Sequence, residues 1–368
     1  MNDTWSLNPD RAYIGELKRA GGSNLKKCYQ CATCSSVCPL STDSRPFPRK
    51  QILQAQWGMA DRLVGDPAVW LCHDCGECAV RCPRGVNPAD VMGAIRGAAI
   101  KRLAFPRLMV RADTPTGLAF VIAVSAALAL GAMKVSHAGR TVGFTFEALF
   151  PEDRLEALFF AITGWAIVSL AVGGARFARA LREYGSRIPA ISDLIPVLAE
   201  ALAHRRFAAC GAGAGRRVGH LLVLSGFAGL GLVSAIEGVG YHLGVIQTPL
   251  PLFSPLKIFA NCCALALVGG AGTLVWSRLR DRADRAAGAF SDWTLLFLLG
   301  GAALTGLASE LLRLAHGEAM FGVYFAHLTL VLALLLTACG TKLSHVLYRV
   351  MAMMATWREP ESADAANS

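Results

Sequence analysis

The chain has 368 residues, of which 54% are hydrophobic and only 17% charged, with a formal net charge of +10. A soluble chain usually carries about a quarter charged residues, so this composition excludes an entirely water-soluble globule as well as a disordered chain. Eight of the twelve cysteines fall between Cys28 and Cys82, whereas the long apolar runs begin only after residue 116. The sequence therefore predicts a cysteine-rich domain over 1–111, a membrane domain over 112–350 and a polar tail over 351–368.

The amino-terminal domain carries two cysteine runs of identical spacing, each ending in Cys-Pro. Both match the bacterial ferredoxin run, in which the fourth cysteine ligates the other cluster. We therefore predict two [4Fe–4S] clusters with crossed ligation. The first cluster is assigned to Cys28, Cys31, Cys34 and Cys82, and the second to Cys72, Cys75, Cys78 and Cys38. The alternatives are structural zinc or a disulfide framework, but two matching quartets with trailing prolines fit neither well.

Between and after these runs, apolar periodicity predicts helices over 46–66 and 89–103. The domain therefore resembles a helical ferredoxin rather than the small β-strand type. Its first twenty residues lack the apolar core of a secretory signal, so we expect this domain in the cytoplasm. Its excess of basic residues either offsets the negative clusters or docks an acidic partner. A nucleic-acid partner is not expected, because no recognised nucleic-acid motif accompanies the charge.

Six apolar stretches are long enough to cross a bilayer, which needs about 20 residues. They lie near 117–135, 156–175, 218–241, 256–277, 293–312 and 320–341. With the ferredoxin domain inside, the inner connections and tail carry fifteen Arg and Lys residues and the outer connections five. This asymmetry predicts a multi-pass protein of the cytoplasmic membrane with both termini in the cytoplasm. The apolar piece over 188–202 is predicted to be a helix lying on the inner leaflet.

Four histidines mark the third and sixth predicted spans. His220 and His242 are twenty-two residues apart, and His327 and His345 eighteen, so each pair falls on one face of a continuous helix. Because the spans are antiparallel, His220 and His345 lie near the cytoplasm, and His242 and His327 lie toward the outside. Matched pairs of this kind are suited to two noncovalent b haems, one near each leaflet. The outer pair is mismatched in depth by roughly 6 Å.

Several residues have a second interpretation. His242 is also suited to a plain interfacial position, and His316 or His137 could replace it as a ligand or act at a quinone pocket. Glycines around His220 could admit a porphyrin or serve helix packing. Glu237 and Glu310 could relay protons or pair with Arg313. His73 and His204 are expected at the surface. The remaining cysteines are expected to be small packing residues: Cys210, Cys262, Cys263 and Cys339.

With these residues, the chain resembles QmoC, the membrane component of the quinone-interacting membrane-bound oxidoreductase (Qmo) complex. That family fuses a ferredoxin like the C-type component of heterodisulfide reductase to a b-type cytochrome like the gamma chain of respiratory nitrate reductase. The resemblance lies in the two cysteine runs and in the stretch from His327 to His345. The nitrate reductase gamma chain has a similar eighteen-residue histidine separation. In its earlier helix the second histidine comes ten residues after the first, where this chain has Leu230, so His242 is the substitute here.

The resemblance implies soluble flavin-containing partners like the A-type component of heterodisulfide reductase (QmoA and QmoB) and, beyond them, adenylylsulfate reductase. It implies a quinone-linked electron-transfer component of an oxidoreductase, with electrons passing between membrane quinone, haem b, two clusters and those partners. One alternative is a heterodisulfide-reductase-like membrane module serving another soluble partner. The other is a haem-free membrane anchor that recruits a soluble oxidoreductase.

Overall fold

The computed structural model describes residues 9–133, 146, 149–203, 214–280 and 290–357. Within these ranges the chain forms helices and no strand, which agrees with the predicted all-α class. Expectations that concern His137, His204, Cys210 and the tail beyond 357 lie outside the described residues.

The amino-terminal domain consists of seven short or medium helices. They are α1 (Arg11–Arg19), α2 (Thr33–Ser36), α3 (Arg49–Gln56), α4 (Ala60–Gly65), α5 (Pro67–Leu71), α6 (Glu77–Val80) and α7 (Pro88–Leu103). Carboxylates cap two of them: Asp10 accepts from the Tyr13 amide at the start of α1, and Asp66 accepts from the Ala68 amide in α5, each at 2.9 Å. Such caps satisfy amide groups that the first turn of a helix leaves without intrahelical partners.

The single helix predicted over 46–66 is wrong, because the chain breaks it into α3 and α4. Gly58 lies at the break with φ +71°, a conformation that L side chains rarely adopt. A Cβ atom there would lie 2.6 Å from the Asp10 carbonyl oxygen. A close backbone contact with the start of α1 therefore ends the helix, which local periodicity does not show. The helix predicted over 89–103 is present as α7.

Among its described residues, the membrane part contains five helices that are long and apolar enough to span a bilayer. They are α8 (Pro115–Ala132), α9 (Glu152–Tyr184), α11 (Ala214–His242), α12 (Pro255–Arg280) and α13 (Phe290–Leu314). Large apolar side chains point outward from them, such as Phe120 at 60% and Trp276 at 70% exposure. An outer surface of this kind needs an apolar surrounding.

The sixth predicted span differs from its expected length. Helix α14 (Met320–Leu336) has 17 residues and ends before 341. A 3₁₀ turn at Lys342–Ser344 then leads into α15 (His345–Thr356). At Gly340 a Cβ atom would lie 2.7 Å from the backbone of Met109, so the chain leaves the helix to make this close contact. His327 and His345 are therefore on two different helices, and α15 continues across the expected domain boundary at 350.

Helix α10 (Leu194–Ala203) and the preceding 3₁₀ turn (Ile191–Asp193) occupy the stretch predicted to lie on the inner leaflet. Val197 is fully buried against Met353 and Met354 of α15. Ile191 and Ile195, on the other side, are 87% and 80% exposed. The helix thus has one face packed on the protein and an apolar stripe left open, so its placement on the membrane stays a prediction.

The hydrophobic core of the ferredoxin domain continues into the membrane part. Trp70 packs against Phe177 of α9 and Tyr348 of α15, with ring centroids 5.5 Å and 4.9 Å away. All three side chains are at most 2% exposed. Arg176 of α9 donates to the carbonyl oxygens of Leu103 (3.2 Å) and Ala104 (2.5 Å). The ferredoxin domain is therefore packed directly on α9 and α15.

Helices α11 and α12 pack unusually closely through glycines. A Cβ atom at Gly219 would lie 2.2 Å from Thr273 Oγ1, and one at Gly229 would lie 2.3 Å from Cys263 Sγ. On the other side of the interface, a Cβ atom at Gly270 of α12 would lie 2.7 Å from the Val223 amide nitrogen of α11. These contacts favour the helix-packing role of the glycines near His220 over porphyrin access.

Candidate redox site

The eight cysteines of the two runs surround two separate cavities. One cavity is lined by Cys28, Cys31, Cys34 and Cys82. The other is lined by Cys38, Cys72, Cys75 and Cys78. In each case the fourth cysteine comes from the other run, which is the arrangement that crossed ligation requires. These are the quartets assigned from the sequence, and their role as cluster ligands stays a prediction.

The two loops that carry the cysteines have the same backbone shape. In the first loop, Gln30 and Ala32 on either side of Cys31 have φ of +60° and +69°. In the second, Asp74 and Gly76 on either side of Cys75 have φ of +54° and +87°. Left-handed non-glycine residues cost about 1–3 kcal/mol each and persist where the surroundings impose them. Their repetition turns three thiols of each loop toward one cavity, as a cubane needs.

Backbone amides favour the anionic form of two of the sulfur atoms, whereas burial opposes it at two others. The Gln30 amide donates to Cys28 Sγ at 3.5 Å, and the equivalent Asp74 amide donates to Cys72 Sγ at 3.4 Å. Burial raises the pKa of Cys38 to about 11 and also raises the pKa of Cys78 well above its usual range. Thiols of this kind lose their protons when a metal takes the thiolate.

The arrangement of the cysteines can also be compared with that of a structural zinc site, the alternative considered from the sequence. Within the described part of the chain, no three His, Cys, Asp or Glu side chains converge on a point where one ion could bind. A structural zinc ion needs four ligands about 2.0–2.3 Å from a single centre. A cubane spreads its four ligands around a larger cluster, which suits two quartets that each line a cavity.

His220 and His345, the predicted inner pair, come together where α11 meets the start of α15. Their ring centroids are 6.4 Å apart and the rings are nearly perpendicular, at 81°. A metal about 2 Å from one nitrogen of each ring would hold the centroids about 6.3 Å apart. The separation therefore fits a haem iron bound by both imidazoles.

His345 also has the orientation of a metal ligand. Its Nδ1 hydrogen-bonds to the Lys342 carbonyl oxygen, so Nδ1 carries the proton and Nε2 keeps its lone pair. Burial lowers the pKa of His345 to about 3, which keeps the imidazole neutral. Neutral imidazole with one nitrogen fixed by a carbonyl is the usual state of a metal-binding histidine.

The predicted outer pair is less well supported by contacts. His242 is 55% exposed and pairs with Glu156 of α9 at 2.8 Å, with Phe160 stacked on its ring. His327 is bonded to the Ala302 carbonyl oxygen of α13 at 2.8 Å. Among the described residues, none of these contacts joins the two rings, so a haem held by both stays a prediction.

Other residues singled out from the sequence have local partners. Glu310 pairs with Arg313 at 2.9 Å and with Lys257 at 3.4 Å, in line with the ion-pair interpretation. Cys263 fills the α11–α12 interface, and Cys339 Sγ donates to the Phe105 carbonyl oxygen at 2.9 Å. His73 is 8% exposed, so its predicted surface position is wrong.

Three arginines around the second cysteine loop were missed by the sequence reasoning. Arg96, Arg216 and Arg349 donate to backbone atoms between Trp70 and Asp74. Arg216 precedes His220 by four residues and Arg349 follows His345 by four. The sequence feature that could have indicated Arg216 and Arg349 is a basic residue one helical turn from each inner histidine.

Comparison with known proteins places the amino-terminal domain in a defined class. A family model described as a 4Fe-4S dicluster domain matches residues 24–86. The C-type component of an H2:CoB-CoM heterodisulfide,ferredoxin reductase from Methanothermobacter thermautotrophicus is 40% identical over 95 residues, which are 26% of this chain and 51% of the relative. A protein from Archaeoglobus profundus, itself described as like the C-type component of heterodisulfide reductase, is 38% identical over 81 residues, 22% of this chain and 43% of the relative.

The chain spans about half the length of the curated relatives it matches. No solved structure matches it. The comparisons therefore establish a ferredoxin domain like that of the C-type component of heterodisulfide reductase, and they cover only about a quarter of the chain.

Proposed function

We propose that this chain is the membrane component of a quinone-linked oxidoreductase of the Qmo type. It passes electrons between membrane quinone, a haem b held by His220 and His345, and two [4Fe–4S] clusters, to or from soluble flavin-containing partner proteins. Adenylylsulfate reductase lies beyond those partners. The observation that carries the proposal is the separation of 6.4 Å between the two imidazole rings, beside a dicluster domain.

The cluster ligands in this proposal are the two crossed quartets described above. A haem b bound between the two imidazoles supplies one-electron transfer. Quinol oxidation releases two electrons and two protons, whereas a haem or a cluster takes one electron, so the quinone site has to separate the two electrons. His345 contributes a fixed ring, because its Nδ1 proton is held by the Lys342 carbonyl oxygen. The buried junction around Trp70 keeps the helix that carries His345 and the cluster domain in one arrangement.

We further propose that the ferredoxin domain and both termini face the cytoplasm. The support is the excess of Arg and Lys in the connections on the side of the ferredoxin domain. A cytoplasmic cluster domain also faces reduced soluble partners, where clustered thiols stay available for iron.

Haem content of histidine variants tests the proposal. His345→Ala removes one ligand and should abolish the reduced b-type absorption of the inner haem while leaving the iron–sulfur absorption in place. Val346→Ala, at the exposed neighbour of His345 in the same helix, is the matched control and should keep the wild-type spectrum. Full haem content in His345→Ala would refute the assignment of this residue as a ligand, and a purified wild-type chain without haem would favour the haem-free anchor instead.

The names of the relatives favour a second candidate within the same chemistry. They are components of heterodisulfide reductases, so a membrane module that serves a heterodisulfide-reductase-like soluble partner is the alternative. The two candidates differ in the electron acceptor. Reduction of adenylylsulfate by quinol, with the membrane complex and adenylylsulfate reductase combined, is expected only for the Qmo type.

A further inference from the structure

The second cysteine loop, residues 72–75, is tied directly to the two helices that carry the inner histidines. Arg349 of α15 donates to the Trp70 carbonyl oxygen at 3.0 Å and to Nδ1 of the buried His73 at 2.9 Å. Arg216 of α11 donates to the Asp74 carbonyl oxygen at 2.6 Å and pairs with the Asp74 carboxylate at 3.1 Å. Both sides of this loop are therefore held by membrane-domain arginines.

These arginines lie one helical turn from the histidines. Residues four apart lie on the same face of a helix, about 6 Å apart along its axis. His220 and Arg216 share a face of α11, and His345 and Arg349 share a face of α15. On both helices, the face that carries the inner histidine therefore also carries the arginine that bonds to the loop of Cys72 and Cys75.

The first cysteine loop, residues 28–34, has a different environment. It is bonded to the ferredoxin domain itself: Gln56 donates to the Cys28 carbonyl oxygen at 3.2 Å, and Arg49 donates to Gln30 at 3.3 Å. Cys31 is exposed, and Tyr29 is 70% exposed with the Arg84 guanidinium 4.1 Å above its ring. This loop is therefore partly open to solvent.

We infer that the cluster of Cys72, Cys75, Cys78 and Cys38 is the one that exchanges electrons with the haem site. Arg216 and Arg349 are the positioning residues that join the two centres. The cluster of Cys28, Cys31, Cys34 and Cys82 is then the outer one, from which single electrons pass to or from the soluble partner. The inference rests on the proposed function, because it assigns an order to the cofactors of that function.

Charge gives the order a measurable consequence. A reduced cluster carries one more negative charge than an oxidised cluster, so a nearby guanidinium stabilises the reduced form and raises the potential. Arg349 lies between the second loop and the haem site, so its charge acts on both centres. Arg84 lies beside the first loop, above the Tyr29 ring, so we expect its charge to act mainly there.

Potentiometric titration of the purified full chain, followed by EPR for the clusters and absorption for the haem, tests the assignment. The cluster signals are assigned with Cys75→Ser and Cys31→Ser. Arg349→Gln should make reduction of the second cluster about tenfold less favourable, a change of about 59 mV for one electron. The same variant should also lower the reduction potential of the haem, and it should leave the potential of the first cluster unchanged. Arg349→Lys should restore most of both shifts.

The matched control is Arg84→Gln, which should lower the potential of the first cluster alone. If Arg349→Gln does not accumulate, Arg216→Gln is titrated in its place with the same expectation. A shift of the first cluster in Arg349→Gln, equal shifts of both clusters, or no shift would overturn the order. A wild-type chain that binds no haem would overturn the proposed function instead. The potentials of the two clusters could still be compared between Arg349→Gln and Arg84→Gln in that case.

Discussion

Gly65 lies where α4 of the ferredoxin domain packs closely on α9 of the membrane domain. A Cβ atom added there would lie 2.3 Å from the Ala180 carbonyl oxygen and 3.1 Å from Tyr184 Cβ, both in α9. Ordinary contacts begin at 3.4 Å, so α4 and α9 would have to separate by about 1 Å in a closely packed junction. Overpacking of this kind typically costs about 1–3 kcal/mol.

We therefore predict that Gly65→Ala destabilises the junction by about 2 kcal/mol. With an unfolding entropy of about 2.1 cal/mol/K per residue, this corresponds to a fall in Tm of about 3 °C for 368 residues. The assay is thermal unfolding of the detergent-solubilised protein, followed by tryptophan fluorescence, because Trp70 lies in the same junction. Scan rates must be equal, since melting of such proteins is often irreversible.

Gly93→Ala is the matched control in the same domain. Gly93 lies within α7 and a Cβ atom there would have no neighbour within 4 Å. The substitution should be neutral or stabilise the protein by about 0.4–1 kcal/mol, because alanine lowers the conformational entropy of the unfolded chain. The close approach of α4 and α9 would be refuted if Gly65→Ala melted at or above the temperature of Gly93→Ala.

Three further predictions concern the cluster domain. Cys82→Ser should alter the EPR signal of the first cluster and spare the second, whereas selective loss of the second would exclude crossed ligation. Trp70→Ala should lower the free energy of unfolding by about 3–5 kcal/mol, because it empties the junction between α5, α9 and α15; an unchanged denaturation midpoint would argue against that packing. An impermeant thiol probe should label Cys31 of the cluster-free protein in inverted vesicles but not in intact cells, and labelling of intact cells would place the domain outside.

The grouping of the eight cysteines around two cavities was largely predictable, because it depends on local spacing. The spacing Cys28-x2-Cys31-x2-Cys34 places three thiols on one loop, and the second copy of the run predicts that the fourth thiol comes from the other run. Their role as cluster ligands stays a prediction. The meeting of His220 and His345 was also predicted, although the reasoning relied on a continuous last helix. The helix ends at Leu336, and the two residues meet because a turn places His345 at the start of α15.

The remaining features depend on contacts between distant parts of the chain. Gly58 breaks a predicted helix because it packs on Asp10, and Gly340 ends α14 because it packs on Met109. Arg349 bonds to Trp70, 279 residues away in sequence. Hydrophobic periodicity reports which face of a segment is apolar, but not which distant backbone approaches it.

The most direct test of the central claim is a haem and iron count on the purified chain, combined with its reduced absorption spectrum and that of His345→Ala. We predict about eight non-haem irons and at least one haem b per wild-type chain. The His345→Ala variant should contain one haem fewer and the same amount of non-haem iron. A wild-type chain with the full complement of iron but no haem would contradict it, as would a variant that retains every haem.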